Sequence, residues 1–187
     1  LELFDKVKET ALNLDKMLFK LQSISDLGAQ QLVYKEVFVN ELLNDVLDGF
    51  REIIVRKGIQ INLNIEVNTS FYSYPAMVRI ILENLLENAI HFCCSYNPYI
   101  TIKINLYQGE LSIEILDNGQ GIGVEYQSRI FDMYFRANEN SKGNGLGLYI
   151  VKKAAEKLHG RLEFTSAVGE GSTFRVVLPS AESILTA

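Results

Sequence analysis

Between Asn84 and Phe174 five short segments fall in a fixed order along the chain: Asn84-Leu85-Leu86-Glu87-Asn88-Ala89, Asp117-Asn118-Gly119-Gln120-Gly121-Ile122, Ile130-Phe131 through Phe135, Gly143-Asn144-Gly145-Leu146-Gly147-Leu148, and Gly169-Glu170-Gly171-Ser172-Thr173-Phe174. Three of them are built on glycines one residue apart. With no Cβ, such residues let a backbone turn sharply and approach a ligand closely. In one segment a carboxylate stands beside that backbone; in another the glycines immediately precede a helical pattern.

The elements around these segments are legible from periodicity. Pro75 opens a long helix with apolar residues at Met77, Ile80, Ile81, Leu85 and Ala89, since proline is tolerated in a first turn. Two strands, Tyr99 to Tyr107 and Glu110 to Leu116, are joined by a tight turn at Gln108-Gly109. Leu146 to Leu158 returns to helical spacing, and Arg161 to Thr165 with Thr173 to Leu178 forms a closing hairpin. Upstream, Val37 and Val39 suggest a short strand, Asn40 an N-cap, Leu42 to Ile54 a helix stopped by Gly58, and Ile59 to Ile65 a half-buried strand. Leu1 to about Leu27 repeats apolar residues at Phe4, Val7, Ala11, Leu14, Leu18 and Leu21, the seam of a coiled coil or bundle. The expected fold is α/β: a two-layer sandwich of a mixed sheet with helices on one face, plus one long N-terminal helix. The expected divisions are 1–28, 33–180 and a tail at 181–187.

Asn84 and Asn88 lie four apart on one helix, so their amides share a face, and amide oxygens are hard ligands that suit magnesium. Local capping is the competing reading of the pair. Gly143, Gly145 and Gly147 precede a helix whose unpaired amides and dipole favour phosphate. Their spacing matches neither a Walker loop nor the dinucleotide fingerprint. The glycine-rich stretch from Gly119 to Gly147 reads as a lid or binding loop, with the lid itself at Ala137 to Lys142 and Phe131 and Phe135 as its packing anchors. Lys142 has two open readings, phosphate contact and a solvated loop lysine.

Taken jointly, the order and residue types resemble the catalytic and ATP-binding domain of sensor histidine kinases, over almost the whole chain to Pro179. The resemblance implies ATP and Mg2+ as cofactors, with Asn84 and Asn88 as catalytic residues and Asn88 as the metal ligand. It implies a nucleotide site formed by Asn88, His91, Phe92, Asp117, Gly119, Gly121, Lys142, Gly143, Gly145, Leu146, Gly147, Leu148 and Thr173. Phe92 would pack on adenine, and Thr173 would assist through water. Asp117 would accept the exocyclic amino hydrogen of adenine, where guanine offers a carbonyl and is repelled. Gyrase-like ATPases of the same pocket type place a glutamate base where this chain has Asn84, so hydrolysis as the main activity is disfavoured. Glu83 and Glu87 should point elsewhere.

The resemblance also implies a phosphoacceptor histidine, yet the only histidines are His91, inside the long helix, and His159, before Gly160; neither is followed by an acidic residue. The N-terminal helix resembles the second helix of the dimerisation hairpin, with the acceptor helix outside the sequence. Expected partners are a second copy through that helix and a response-regulator receiver domain. Tyr74 departs from the family, where an aspartate usually precedes Pro75. A serine-kinase anti-sigma factor and a non-catalytic scaffold are the alternative readings, distinguishable by a serine-bearing partner and by nucleotide titration.

A net charge of −5 and a pI near 5.1 offer no basic stripe, which excludes nucleic acid from the expected partners. No apolar run approaches the roughly 20 residues of a membrane helix, so the sequence is expected to be soluble, cytoplasmic, and membrane-linked only through parts of a larger protein. Cys93 and Cys94 fall at the end of a helical pattern, where neighbouring side chains diverge; reduced thiols are expected, and a disulfide or metal pair is not.

Overall fold

The computed structural model describes residues 34–137 and 144–181. By internal contacts the chain divides into two units, Leu1–Gln31 and Leu32–Ala187. The expected N-terminal helix lies outside the described residues, as does the expected tail beyond residue 181.

The second unit is built on a five-stranded sheet in the order β2-β4-β5-β7-β6, formed by β2 (Gln60–Glu66), β4 (Tyr99–Tyr107), β5 (Glu110–Asp117), β6 (Arg161–Ala167) and β7 (Gly171–Pro179). β2 runs parallel to β4, and the remaining neighbours are antiparallel. Alternation of side chains sorts each strand into two faces. Ile100, Ile102 and Ile104 of β4 lie beside Leu111, Ile113 and Ile115 of β5 and Phe174, Val176 and Leu178 of β7, all buried. The opposite face is polar: Lys103, Glu114, Arg175 and Glu163 form one cross-strand row of alternating charge. One face is therefore a core, and the other is solvated.

Helix α2 (Pro75–Phe92) covers the apolar face with Met77, Ile81, Leu82, Leu85 and Ala89, and α4 (Gly147–Lys157) packs beside it through Ile150, Val151, Ala154 and Ala155. Pro75 occupies the first turn of α2, where its missing N–H has no intrahelical partner to lose. Tyr74 precedes it as N-cap without any side-chain capping bond, as expected of a phenol where a short oxygen is needed. Helix α1 (Val39–Lys57) packs on α2 and ends at Gly58, which adopts the left-handed conformation (φ 63°) that glycine permits. Among the described residues no helix is long and apolar enough to cross a membrane.

Two sequence expectations are corrected upstream. Val37 and Val39 are not a strand: the strand is β1 (Lys35–Glu36), paired antiparallel with β3 (Tyr72–Ser73). The cap of α1 is Phe38, not Asn40, because the helix begins at Val39, whose side chain is buried. The stretch between Gly119 and Leu146 is largely irregular among its described residues, as expected, with one helical turn there, α3 (Val124–Gln127).

Candidate functional site

The apolar row of β5 ends in a charge. Leu111, Ile113 and Ile115 point into the core, and the next residue of the same parity is Asp117, only 3% exposed. A bare carboxylate there would be costly, and the fold answers with backbone N–H groups. Gly119 N–H donates to Asp117 Oδ1 at 2.9 Å, and the Ser172 N–H also bonds to the carboxylate. Burial still dominates and pushes the Asp117 carboxyl up to about 6, against the opposing pull of these two bonds.

The glycines beside Asp117 are dictated by contact. A Cβ at Gly119 would stand 2.0 Å from the carbonyl oxygen of Phe92, at the end of α2, and Gln120 N–H donates to that same carbonyl at 3.2 Å. Gly121 (φ +69°) would meet Ala167 O at 1.9 Å, and Gly171 (φ +95°) would meet Asp117 O at 1.9 Å. Three backbones therefore converge around one carboxylate. The turn is also fastened to the β6–β7 hairpin: Ile122 N–H donates to Ser166 Oγ at 2.8 Å, and Gly169 N–H to Gln120 O at 2.8 Å.

Thr173 is corrected. It pairs with Leu116 in the sheet register, on the face opposite Asp117, whereas Ser172 pairs with Asp117 itself. Ser172 is the hydroxyl residue on the carboxylate's side; its Oγ lies 2.9 Å from Ser166 Oγ. Counting residues along the β7 segment by the alternation of its neighbours Phe174, Val176 and Leu178 identifies Ser172 without coordinates.

A second wall comes from α2. Asn84 and Asn88 stand one turn apart, with His91 and Phe92 in the turn that follows; the His91 and Phe92 rings meet edge to face at 6.5 Å. Asn84 is 7% exposed, donates from Nδ2 to Ile80 O at 2.8 Å, and leaves Oδ1 buried without a hydrogen-bond partner. That oxygen faces the first turn of α4, since a Cβ at Gly147 would lie 3.4 Å from it. Gly145 (φ +65°) precedes the helix and accepts from Tyr134 N–H at 2.9 Å, while its own position leaves no room for a Cβ against Phe135 O at 2.7 Å. Leu146 is buried as the N-cap of α4, and Leu148 is half-buried in its first turn.

Phe131 stands edge to face on Phe164 at 5.5 Å, and Phe164 stacks on Phe174 at 5.9 Å, so an aromatic column ties the loop to the hairpin. Phe135 lies under the Arg129 guanidinium at 4.6 Å and tilts against Tyr126. Lys142, Gly143 and all of the expected lid after Ala137 lie outside the described residues. Both cysteines are free, but they do not share a helix: α2 ends at Phe92.

The structure thus joins Asn84 to Gly147, and Phe92 to Gly119 and Asp117: a buried carboxylate at one end, and at the other a glycine-bordered helix N-terminus facing an unmatched amide oxygen. Known proteins resemble this chain in sequence and in fold. The adaptive-response sensory kinase SasA of Rippkaea orientalis is 31% identical over 163 residues, which is 85% of this chain and 42% of that protein. The sensor protein kinase GraS of Staphylococcus aureus is 27% identical over 159 residues, 83% of this chain and 45% of that one. The chain spans less than half the length of either relative. Among solved structures, full-length ShkA in complex with AMPPNP superimposes with a TM-score of 0.82 over 95% of this chain and 38% of its own, at 23% identity, a likeness of fold. Residues 74–182 match the family described as histidine kinase-, DNA gyrase B-, and HSP90-like ATPase, and the chain belongs to that family, with an ATP-binding catalytic domain of the sensor histidine kinase kind.

Proposed function

We propose that this chain binds ATP with magnesium and transfers the γ-phosphate to a histidine on an upstream helix, for relay to the aspartate of a response-regulator receiver domain. The observation that carries the reading is Asp117: a carboxylate on the core face of the sheet, wrapped by three backbones at positions where no side chain fits. A buried acceptor of this kind pairs with an exocyclic amino group and rejects a carbonyl, which favours adenine over guanine.

The remaining residues fall into roles along the ligand. Phe92 borders the Asp117 end, where an aromatic ring packs on a purine face. Ser172 replaces Thr173 as the hydroxyl beside the carboxylate. Gly119 and Gly121 let the backbone close around the Asp117 end of the site. Gly145, Leu146, Gly147 and Leu148 present the amides of the α4 N-terminus to phosphate oxygens, with Lys142 and Gly143 completing that loop. Asn88 would hold magnesium, with His91 following three residues later on the same helix, toward the phosphates. The donor set fits a hard cation: both asparagines offer neutral amide oxygens, and the Asn84 oxygen has no competing donor. When bound, magnesium would screen the phosphate charge and align the triphosphate. Asn84 stands where a glutamate base would activate water, and its amide is no such base, which supports the acceptor imidazole as the nucleophile.

Pairing with a second copy is supported by the sequence alone, where Phe4, Val7, Ala11, Leu14, Leu18 and Leu21 repeat at heptad spacing. Radiolabelled ATP tests the proposal: the chain extended upstream by an acceptor helix should acquire acid-labile label, and the present sequence alone should not. Label on the present chain would point to His91 and overturn the assignment of an upstream acceptor.

A further inference from the structure

The core face of the sheet changes character in its last row. Across β5, β7 and β6 the rows read Ile113, Val176, Leu162, then Ile115, Phe174, Phe164, and finally Asp117, Ser172, Ser166. The first two rows are packing; the third carries oxygen at every position. Asp117 and Ser172 already have places at the base end of the site, whereas Ser166, on the edge strand, has none.

Ser166 Oγ meets three groups. It accepts the Ile122 N–H at 2.8 Å, donates to Gly171 O at 2.9 Å, and lies 2.9 Å from Ser172 Oγ. A hydroxyl has one proton and two lone pairs. An N–H can only donate and a carbonyl can only accept, so Ile122 takes one lone pair of Ser166 and Gly171 takes its proton. What is left for Ser172 is the second lone pair. The proton between the two serines therefore belongs to Ser172 and points at Ser166, and Ser172 Oγ keeps lone pairs alone for anything else that approaches it.

The surroundings hold Ser166 in that state. Gln127 Nε2 donates to Ile122 O and to Ser166 O, both at 3.1 Å, so the helical turn α3 clips the loop to β6. Gly171 is fixed on the other side by its close approach to Asp117 O. Neither the donor nor the acceptor on Ser166 can be withdrawn without moving backbone.

We infer that Ser166 is a positioning residue for base selection: by taking up the Ser172 proton it makes the base end of the pocket a surface of acceptors only. An exocyclic amino group finds two oxygens there to receive it, from Asp117 and Ser172, and a carbonyl finds no hydroxyl proton to meet it. Ser166 acts through Ser172. The role in base selection rests on the proposed function; the direction of the serine proton does not.

Neutron diffraction from crystals of the deuterated, nucleotide-free chain reads that direction. The deuteron between the serines should be bonded to Ser172 Oγ; one bonded to Ser166 Oγ and aimed at Ser172 overturns the inference. Titration calorimetry with Mg-ATP and Mg-GTP reads the consequence as the ratio of the two affinities, in which a general loosening of the turn cancels. Ser166→Ala frees the Ser172 proton to meet a carbonyl, so the preference for ATP should fall about tenfold. Adding Ser172→Ala removes that proton and should restore most of the preference, and Ser166→Thr, which keeps the hydroxyl, should retain it. A ratio unmoved in Ser166→Ala, or as low in the double variant as in the single one, overturns the role. A wild-type chain that binds ATP and GTP alike, or neither, overturns the proposed base recognition and the role of Ser166 in it together, and leaves the proton direction to be judged by diffraction.

Discussion

Asp117 and Asn84 are both nearly buried, at 3% and 7% exposure, and both present oxygen to the same site, yet the fold treats them differently. Asp117 accepts two backbone N–H groups and is enclosed by glycines whose replacement would collide with backbone. Asn84 Oδ1 accepts nothing. The base-binding end is thus organised before any ligand arrives, whereas the phosphate end retains an unmet acceptor that a donor from solvent or a hydrated cation would satisfy. At both positions a buried oxygen kept for the ligand costs the fold stability, at the first as a charge and at the second as an unmet acceptor.

The largest expected effect comes from filling the enclosed end. Gly171→Ala adds a Cβ 1.9 Å from Asp117 O at φ +95°, and should destabilise the fold by about 3 kcal/mol or more in urea unfolding while abolishing ATP binding. Stability unchanged by this substitution would mean that the turn yields, and that the preorganisation is illusory.

Acid should divide stability from binding at Asp117. Its folded carboxyl titrates near 6, above the ordinary 3.8, so the folded state holds the proton more tightly. Between these values stability falls as pH rises, and the cost of the buried charge is fully present above pH 6. Subtracting the Asp117→Asn profile should isolate a contribution on the order of 1–3 kcal/mol. ATP affinity should move the other way, falling as pH drops through about 6, since a protonated carboxyl loses half of its accepting capacity. Parallel slopes would break the comparison.

Asn84→Leu removes the unmatched oxygen while keeping the same branched heavy-atom skeleton. The nucleotide-free chain should gain about 1 kcal/mol in thermal or urea unfolding, and Mg-ATP affinity should fall. A destabilised variant with intact binding would show that the oxygen is satisfied after all. The smallest effect serves as a control far from the site: Gly49, mid-helix in α1 with nothing within 4 Å of an added Cβ, should gain about 0.5–1 kcal/mol on substitution by Ala, with no change in binding.

Elements whose cause is local were readable in the sequence. Pro75 marked the first turn of α2, Gly58 the end of α1, and Gln108-Gly109 the β4–β5 hairpin, because each depends on a residue's own conformational limits. The position of Asp117 at a strand end was equally legible. What depends on pairing across the sheet was not. The two-residue β1–β3 ladder joins segments with no alternating pattern of their own, and the face occupied by Thr173 is fixed by its register with Leu116. The end of α2 was read to within a residue or two, at Cys93 and Cys94, and the structure sets it at Phe92.

Isothermal titration of the chain with Mg-ATP and Mg-GTP, with Asp117→Asn in parallel, tests the central claim most directly. ATP should bind and GTP should bind at least about tenfold more weakly; the variant should lose roughly 1.5–3 kcal/mol of ATP affinity, about ten- to a hundredfold, the worth of one charge-assisted hydrogen bond. Equal affinity for the two nucleotides, or an Asp117→Asn chain that binds ATP as tightly as the wild type, would contradict the account.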